Sequence, residues 1–232
     1  MTEYTPTVSD EYAERIRQWH ENAYRMSRDE AGDGDQTFEY LGRTIVVPPQ
    51  VMPITAVSQL LGEAVLAEVR EADRVLDMGT GSGVNAILAA SKSTDVVAVD
   101  VNPVAVEAAR ANAARNGVAD RVDVRVSDVY AEVSGEFELM IFDPPFRWFA
   151  PRDLLERAST DENYAAMTAF FRGARQRLTP NGRMLIFFGS SGDLGHLRGL
   201  FDEQGFAAEV IATDSVVKDG WRVDYFTFRL TP

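Results

Sequence analysis

The chain has 232 residues, 45% of them hydrophobic and 25% charged, which suffices for one sizeable core and argues against wholesale disorder. It has no cysteine and only two histidines, His20 and His196, which excludes disulfides, cysteine nucleophiles, thiolate metal sites and a multi-histidine metal centre. A net charge of −13 repels phosphate backbones, so a nucleic-acid partner starts at a disadvantage and a neutral or cationic substrate starts ahead.

No apolar run reaches the roughly 18 residues that a membrane span requires. Residues 1–10 are polar and lack the basic-then-apolar start of a signal peptide. The expectation is a cytoplasmic protein with no membrane partner. Ser9-Asp10 can cap a first helix running to about Arg28. Ile16, Trp19, Ala23 and Met26 share one face of it, for packing on the domain or on a second subunit. Gly32-Asp33-Gly34-Asp35 then breaks the helix. Phe38-Glu39-Tyr40 and Ile45-Val46-Val47 flank Leu41-Gly42-Arg43-Thr44 as a hairpin, and Pro48, Pro49 and Pro53 stiffen a linker. Residues 1–54 therefore read as a helical and hairpin extension, a lid or a dimer contact. The main domain is 55–232, beginning with a helix from about Thr55 to Val69.

From Arg74 onward strands and helices alternate. Strands are expected at Val75–Asp77, Val96–Asp100, Val122–Val126, Glu138–Phe142 and Met184–Phe188. Helices are expected at Gly83–Ala90, Pro103–Asn116, Asn163–Leu178 and Leu194–Glu203, with Pro180-Asn181-Gly182 closing the third. This alternation predicts a mostly parallel sheet covered on both faces. Phe206–Ala212 and Val223–Leu230 have no helix between them, which predicts an antiparallel last strand.

Two motifs stand at strand ends, where open α/β sheets bind ligands. Asp77-Met78-Gly79-Thr80-Gly81-Ser82-Gly83 joins the first of these strands to a helix, and its glycines permit a tight turn and close approach of a ligand. Asp100 ends the next strand, at a spacing that suits hydrogen bonds to ribose hydroxyls. A dinucleotide fingerprint would need glycine at position 84, where Val84 stands, so an oxidoreductase is disfavoured. The second motif is Phe142-Asp143-Pro144-Pro145-Phe146. Ionised Asp143 only accepts hydrogen bonds, the prolines stiffen the turn so that the Pro144 carbonyl can be a second acceptor, and Phe146 offers a flat face. Two acceptors and a ring suit a nitrogen that carries hydrogens.

Together these motifs resemble the class I S-adenosylmethionine-dependent methyltransferases. Within that class the Asp-Pro-Pro-Phe sequence resembles the [Asp/Asn]-Pro-Pro-[Phe/Tyr] N-methyltransferases, which act on protein glutamine, ribosomal-RNA guanine-N2 or adenine-N6. The resemblance covers roughly Thr37 to Leu230 and is strongest over Val75 to Phe146. It implies a Rossmann-like α/β fold with a seven-stranded, mostly parallel sheet and an antiparallel last strand. It implies S-adenosylmethionine as cofactor and S-adenosylhomocysteine as product, in contact with Thr55, Asp77, Gly79, Thr80, Gly81, Gly83, Asp100, Val101, Asp128 and Val129. Of these, Asp128 corresponds to the acid that accepts from the adenine amino group. It implies Asp143, Pro144 and Phe146 as the catalytic residues; with no cysteine and only two histidines, no metal site is expected. Residues Pro49 to Thr55 look like the segment that crosses the cofactor in the glutamine-methylating branch. That branch usually has Asn-Pro-Pro-Tyr, however, and an aspartate lacks the amide donor that would bond a glutamine carbonyl.

The first expectation is therefore methylation of an amino or guanidino nitrogen on a small metabolite. Next come a protein side chain, then an RNA base, and then a non-catalytic cofactor-binding subunit. A nucleic-acid substrate is placed low because the extra N-terminal segment is acidic and no basic module is visible. Arg147, Trp148 and Phe149 open a loop running to about Thr160, and they are the candidate substrate contacts, with Arg147 or Arg152 for an anionic group. A homodimer through the N-terminal helix is possible. His20 reads as a surface histidine, and His196 has no evident role.

Overall fold

The computed structural model describes residues 4–31, 34–218 and 220–232. The expected helix break at Gly32-Asp33 lies outside them. Helix α1 (Asp10–Ala31) is followed by the hairpin of β1 (Gln36–Tyr40) and β2 (Arg43–Val47), then by α2 (Ser58–Glu68). The alternating part runs β3 (Arg74–Met78), α3 (Val84–Ala89), β4 (Asp95–Asp100), α4 (Pro103–Arg115), β5 (Val122–Val126) and β6 (Phe137–Phe142). It continues through α5 (Leu154–Arg157), α6 (Ala165–Ala174), β7 (Leu178–Gly189), α7 (Leu194–Glu203), β8 (Ala207–Lys218) and β9 (Trp221–Thr231). No helix among the described residues is long and apolar enough to cross a membrane.

Seven strands form one sheet in the order β5-β4-β3-β6-β7-β9-β8. The first five of that order are parallel, and β9 runs antiparallel to both β7 and β8. The expected sheet is present, with its antiparallel strand inserted between β7 and β8. The chain winds outward from β3 to β4 and β5 on one side, and to β6 and β7 on the other. The crevice between β3 and β6 is thus a topological switch point. Val75, Leu76, Leu139, Met140, Ile141, Leu185 and Ile186 are fully buried, as strands covered on both faces require.

Polar side chains join the hairpin to the sheet domain. Asn112 on α4 accepts from the Val46 amide (2.9 Å) and donates to the Val46 carbonyl (2.8 Å). One helical turn on, Asn116 does the same for Thr44, at 3.2 and 2.9 Å. Residues i and i+4 of a helix thereby satisfy residues j and j−2 of a strand edge, whose polar groups would otherwise stand open. Helix α1 packs on the same domain, with Ile16 buried, the Tyr12 hydroxyl donating to the Ser190 carbonyl (2.9 Å) and Trp19 edge-on to Trp221. Met26, expected on the buried face, is exposed.

The expected helix over 163–178 is shorter. Asn163 and Tyr164 have φ of 57° and 51°, in the left-handed region, and α6 starts only after them. Pro180-Asn181-Gly182, read as a helix stop, lies inside β7, where a register irregularity between Phe137 and Leu139 accommodates the proline. The last two strands run further than their apolar cores and form a long hairpin. The α5 turn, capped by Asp153 accepting from the Glu156 amide (2.8 Å), interrupts what read as loop. Thr55 precedes α2 rather than opening it, with its amide donating to Ser58 Oγ (3.2 Å).

Candidate active site

Register assembles the site. Met78 pairs with Val99 of β4 on one side and with Phe142 of β6 on the other. Gly79, Asp100 and Asp143 therefore emerge side by side at the carboxyl edge of the sheet. Gly79, Gly81 and Gly83 have φ of 65°, 55° and 85°, conformations that side chains resist. Above Gly79 and Gly81 there is room: an added Cβ would come no nearer than 3.7 Å to Phe142 and 4.0 Å to Val51. Gly83 differs, because a Cβ there would lie 2.9 Å from the Ala109 Cβ of α4. Gly83 thus lets the loop sit against a helix. Gly83→Ala combines a left-handed alanine with a clash and is expected to cost about 2–4 kcal/mol in denaturant unfolding. Unchanged stability would show that α4 yields.

Asp77 lies beneath this loop, buried, and its Oδ2 accepts from Thr80 Oγ1 (2.6 Å) and the Ala86 amide (3.0 Å). Burial raises its pKa against those two bonds. Asp77 and Thr80 therefore brace the loop from inside. Asp100 is half-buried and accepts from the Gly81 amide (2.9 Å) and the Asn102 amide (2.8 Å). Its pKa is raised by burial. Asn102 caps α4 and donates to the Gln50 carbonyl (3.0 Å), which fastens residues 48–52 across the loop with Val51 over Gly81. Val101 and Thr55 are exposed nearby in the chain.

After β5, Ser127 donates its amide to the Asp100 carbonyl (2.9 Å), which brings Asp128 and Val129 beside the loop. Asp128 is exposed. Val129 has a φ of 48°, a genuine outlier for a β-branched residue. Ser127 holds it there, donating to the Val129 carbonyl (2.9 Å) and accepting from the Glu132 amide (3.1 Å). Strain of this kind gathers at ligand sites.

Asp143 is exposed at the mouth of the cleft, with protein packed densely behind it. Partial loss of solvent from that packing, followed by the neighbouring Asp77 charge, pushes its pKa up to about 7. Tyr40, from the hairpin, lies close enough for Asp143 to raise its hydroxyl pKa further after burial has done most of the work. Tyr40 was absent from the expected set; only its position, just ahead of the proline-rich crossing segment, hints at it. Pro144 is buried, and the Phe146 ring packs on Phe188 at 4.8 Å. The Phe146 carbonyl accepts from Tyr164 Oη (2.5 Å), which itself accepts from the Asp193 amide (2.9 Å). The left-handed Tyr164 thus locks the motif to the loop after β7.

The three loop candidates part company here. Arg147 is buried, with its backbone bridged to Thr160 and its Nη2 donating to Ser191 Oγ (3.1 Å). Trp148 is buried in an aromatic cluster with Tyr4, Phe149 and Tyr164, so it packs toward the N-terminal segment. Phe149 lies under the Arg17 guanidinium of α1, 4.4 Å from it. His20 is a correction: it is 3% exposed, with Nε2 2.7 Å from Glu156 Oε1, because α1 packs over the loop after β6. Burial lowers its pKa against the pull of Glu156. His196 is stacked on Tyr164. His20, Glu21 and Glu156 are near enough together to ring a cation, but Arg152 already pairs with Glu156 (2.6 Å) and Glu21 (3.1 Å).

The methyltransferase small-domain family matches residues 54–203. The chain belongs to this family. Among relatives of this small-domain methyltransferase, the release factor glutamine methyltransferase of Cereibacter sphaeroides is 31% identical over 209 residues, which cover 83% of this chain and 73% of that protein. The ribosomal RNA small subunit methyltransferase C of Klebsiella pneumoniae is 34% identical over 193 residues, covering 80% of this chain and 52% of the relative. The chain thus spans about half of that second relative. The crystal structure of Methanocaldococcus jannaschii Trm5 in complex with adenosine has a TM-score of 0.64 over 86% of this chain and 56% of that one. At 18% identity it shares the fold. The small-domain methyltransferase described here is an S-adenosylmethionine-dependent enzyme with a Rossmann-like fold.

Proposed function

We propose that this enzyme methylates an amino or guanidino nitrogen held at Asp143. The observation that carries the reading is the placement of a carboxylate, acceptor-only once ionised and with its pKa pushed up to about 7, level with the glycine loop at the switch point. The residues present fit the cofactor. The open face over Gly79 and Gly81 admits a ligand against the backbone, and Asp100 has lone pairs beyond those used by Gly81 and Asn102 for ribose hydroxyls. Asp77 and Thr80 shape the loop, Gly83 seats it on α4, Asp128 and Val129 would border the adenine end of the cofactor, and Val101 and Thr55 would stand at its rim. When bound, the cofactor supplies an electrophilic methyl group.

The protein's part is alignment. Asp143 and the Pro144 carbonyl take the hydrogens of the nitrogen, which leaves its lone pair facing the cofactor, while Phe146 walls the site. Alignment of this kind is worth up to roughly 7–11 kcal/mol. An ammonium or guanidinium must also lose a proton, and a carboxylate with a pKa near 7 can take it.

A small acceptor fits best, because this chain's own α1 packs over the loops that follow β6 and β7 and so narrows the acceptor side. Residues 4–54 would then act as a lid. The second reading is a protein side chain, supported by the likeness to a release factor glutamine methyltransferase; the ribosomal-RNA relative keeps RNA as a third. The test uses methyl-labelled cofactor and purified enzyme in an extract of its source organism, with label counted in small-molecule, protein and RNA fractions. Label in the small-molecule fraction is expected, and label confined to protein or RNA would overturn the small acceptor.

A further inference from the structure

Arg147 follows the Asp-Pro-Pro-Phe motif directly and is 7% exposed. Its backbone is fixed, since its amide donates to the Ser159 carbonyl (3.3 Å) and its carbonyl accepts from the Asp161 amide (2.8 Å). The guanidinium carbon lies 5.6 Å from the centre of the Phe146 ring, so the side chain packs beside the motif that forms the proposed acceptor site. Its Nη2 donates to Ser191 Oγ, and its buried Nε has no hydrogen-bond partner. Among the described residues no carboxylate forms an ion pair with it. The ionisable groups that influence it are the phenols Tyr225 and Tyr164, while His20 in turn responds to its charge. Among the described residues the other strongly buried arginine, Arg183, is paired, holding Asp73 at 2.8 Å. A buried charge left unpaired is costly, and proteins retain one where a ligand completes the pair. In a chain of net charge −13, acidic side chains were available to neutralise it.

We infer that Arg147 and Ser191 form the receptor for a carboxylate of the methyl acceptor, so that the acceptor is an amine or guanidine bearing a carboxyl group. A guanidinium matches a carboxylate with parallel N–H donors. Ser191 is fully buried, accepts from Arg147 and keeps its own proton for a second bond to the anion. One guanidinium balances one carboxylate; a phosphate of charge near −2 would leave an excess negative charge inside the protein. Placement beside the acceptor nitrogen rests on the N-methyltransferase reading above, whereas the anion site does not.

The test separates these two. Thermal unfolding is followed in rising sodium acetate, with sodium chloride at matched ionic strength and inorganic phosphate as the other arms. Acetate is expected to raise the midpoint of the wild-type protein saturably beyond chloride, as a ligand of the native state does. Arg147→Met should abolish that increment. Without acetate it should unfold at the wild-type temperature or higher, because an uncompensated buried charge has gone. Ser191→Ala should weaken acetate binding by about tenfold to a hundredfold, the loss of one bond to a charged group. S-adenosylhomocysteine binding by Arg147→Met should match wild type; its loss would put Arg147 at the cofactor and overturn the assignment. An acetate response that survives in Arg147→Met, or a phosphate response exceeding that of acetate, would overturn it as well. If the acetate arm succeeds and no nitrogen is methylated, the proposed reaction falls and the carboxylate site stands.

Discussion

Asp143→Ala is expected to lower kcat by about 10²–10³-fold and to leave S-adenosylhomocysteine affinity within about threefold of wild type. The reason is location. Asp143 follows β6 directly and faces the cleft, while the loop that approaches the cofactor hangs from β3 and is braced by Asp77 and Thr80. Loss of cofactor binding in this variant would move Asp143 out of the acceptor role. The raised pKa adds a pH signature. Protonated Asp143 is a poorer acceptor, so kcat/KM should rise with pH through about 7 and then level, and Asp143→Asn should flatten that limb. The stability signature has the opposite sense. A carboxyl whose folded pKa exceeds its unfolded value of about 3.9 favours the native state fully below that value, and the contribution is lost as pH rises through about 7. Asp143→Asn should therefore lose less stability than wild type across that window, as urea unfolding would show. Parallel curves would place the titration elsewhere.

Asp100→Ala is expected to raise the dissociation constant for S-adenosylhomocysteine by about 10²-fold, since a hydrogen bond to a charged group is worth about 1.5–3 kcal/mol. At saturating cofactor, kcat should stay within about threefold of wild type. The same substitution removes the acceptors of the Gly81 and Asn102 amides, so the loop should also loosen and the unfolding midpoint fall. Asp100→Asn keeps one acceptor oxygen but turns an amide donor toward one of those N–H groups. Its affinity should lie between the other two. Calorimetric affinities equal to wild type in both variants would show that Asp100 only shapes the loop.

Much of the site was legible because strand-end motifs are local. Glycines at 79, 81 and 83 announce backbone that other residues resist, and all three are left-handed. Asp100 and Asp143 end apolar runs, and the order of the strands brings the two edges together. Register was not legible: that Met78 faces both Val99 and Phe142 depends on packing across three strands. The Asn112 and Asn116 clamp escaped for the same reason, since an asparagine in an alanine-rich helix looks like an ordinary surface residue until a strand edge lies against it. Helix α6 was overextended because apolar periodicity carries no sign of left-handed Asn163 and Tyr164, which are held by contacts with Tyr4, Phe146 and Asp193. His20 looked like a surface residue on an acidic helix. Its burial follows from Glu156, 136 positions away, on a short helix that read as loop.

The most direct test of the central claim is the bonding of the transferred methyl group. The enzyme is supplied with carbon-13 methyl-labelled S-adenosylmethionine and the extract fraction that accepts label, and the product is examined by carbon–proton–nitrogen correlation. A methyl carbon bonded to nitrogen, formed by wild type and reduced at least about a hundredfold in Asp143→Ala, is the result expected. A methyl group on oxygen or carbon, or one formed equally well without the Asp143 carboxylate, would contradict the account.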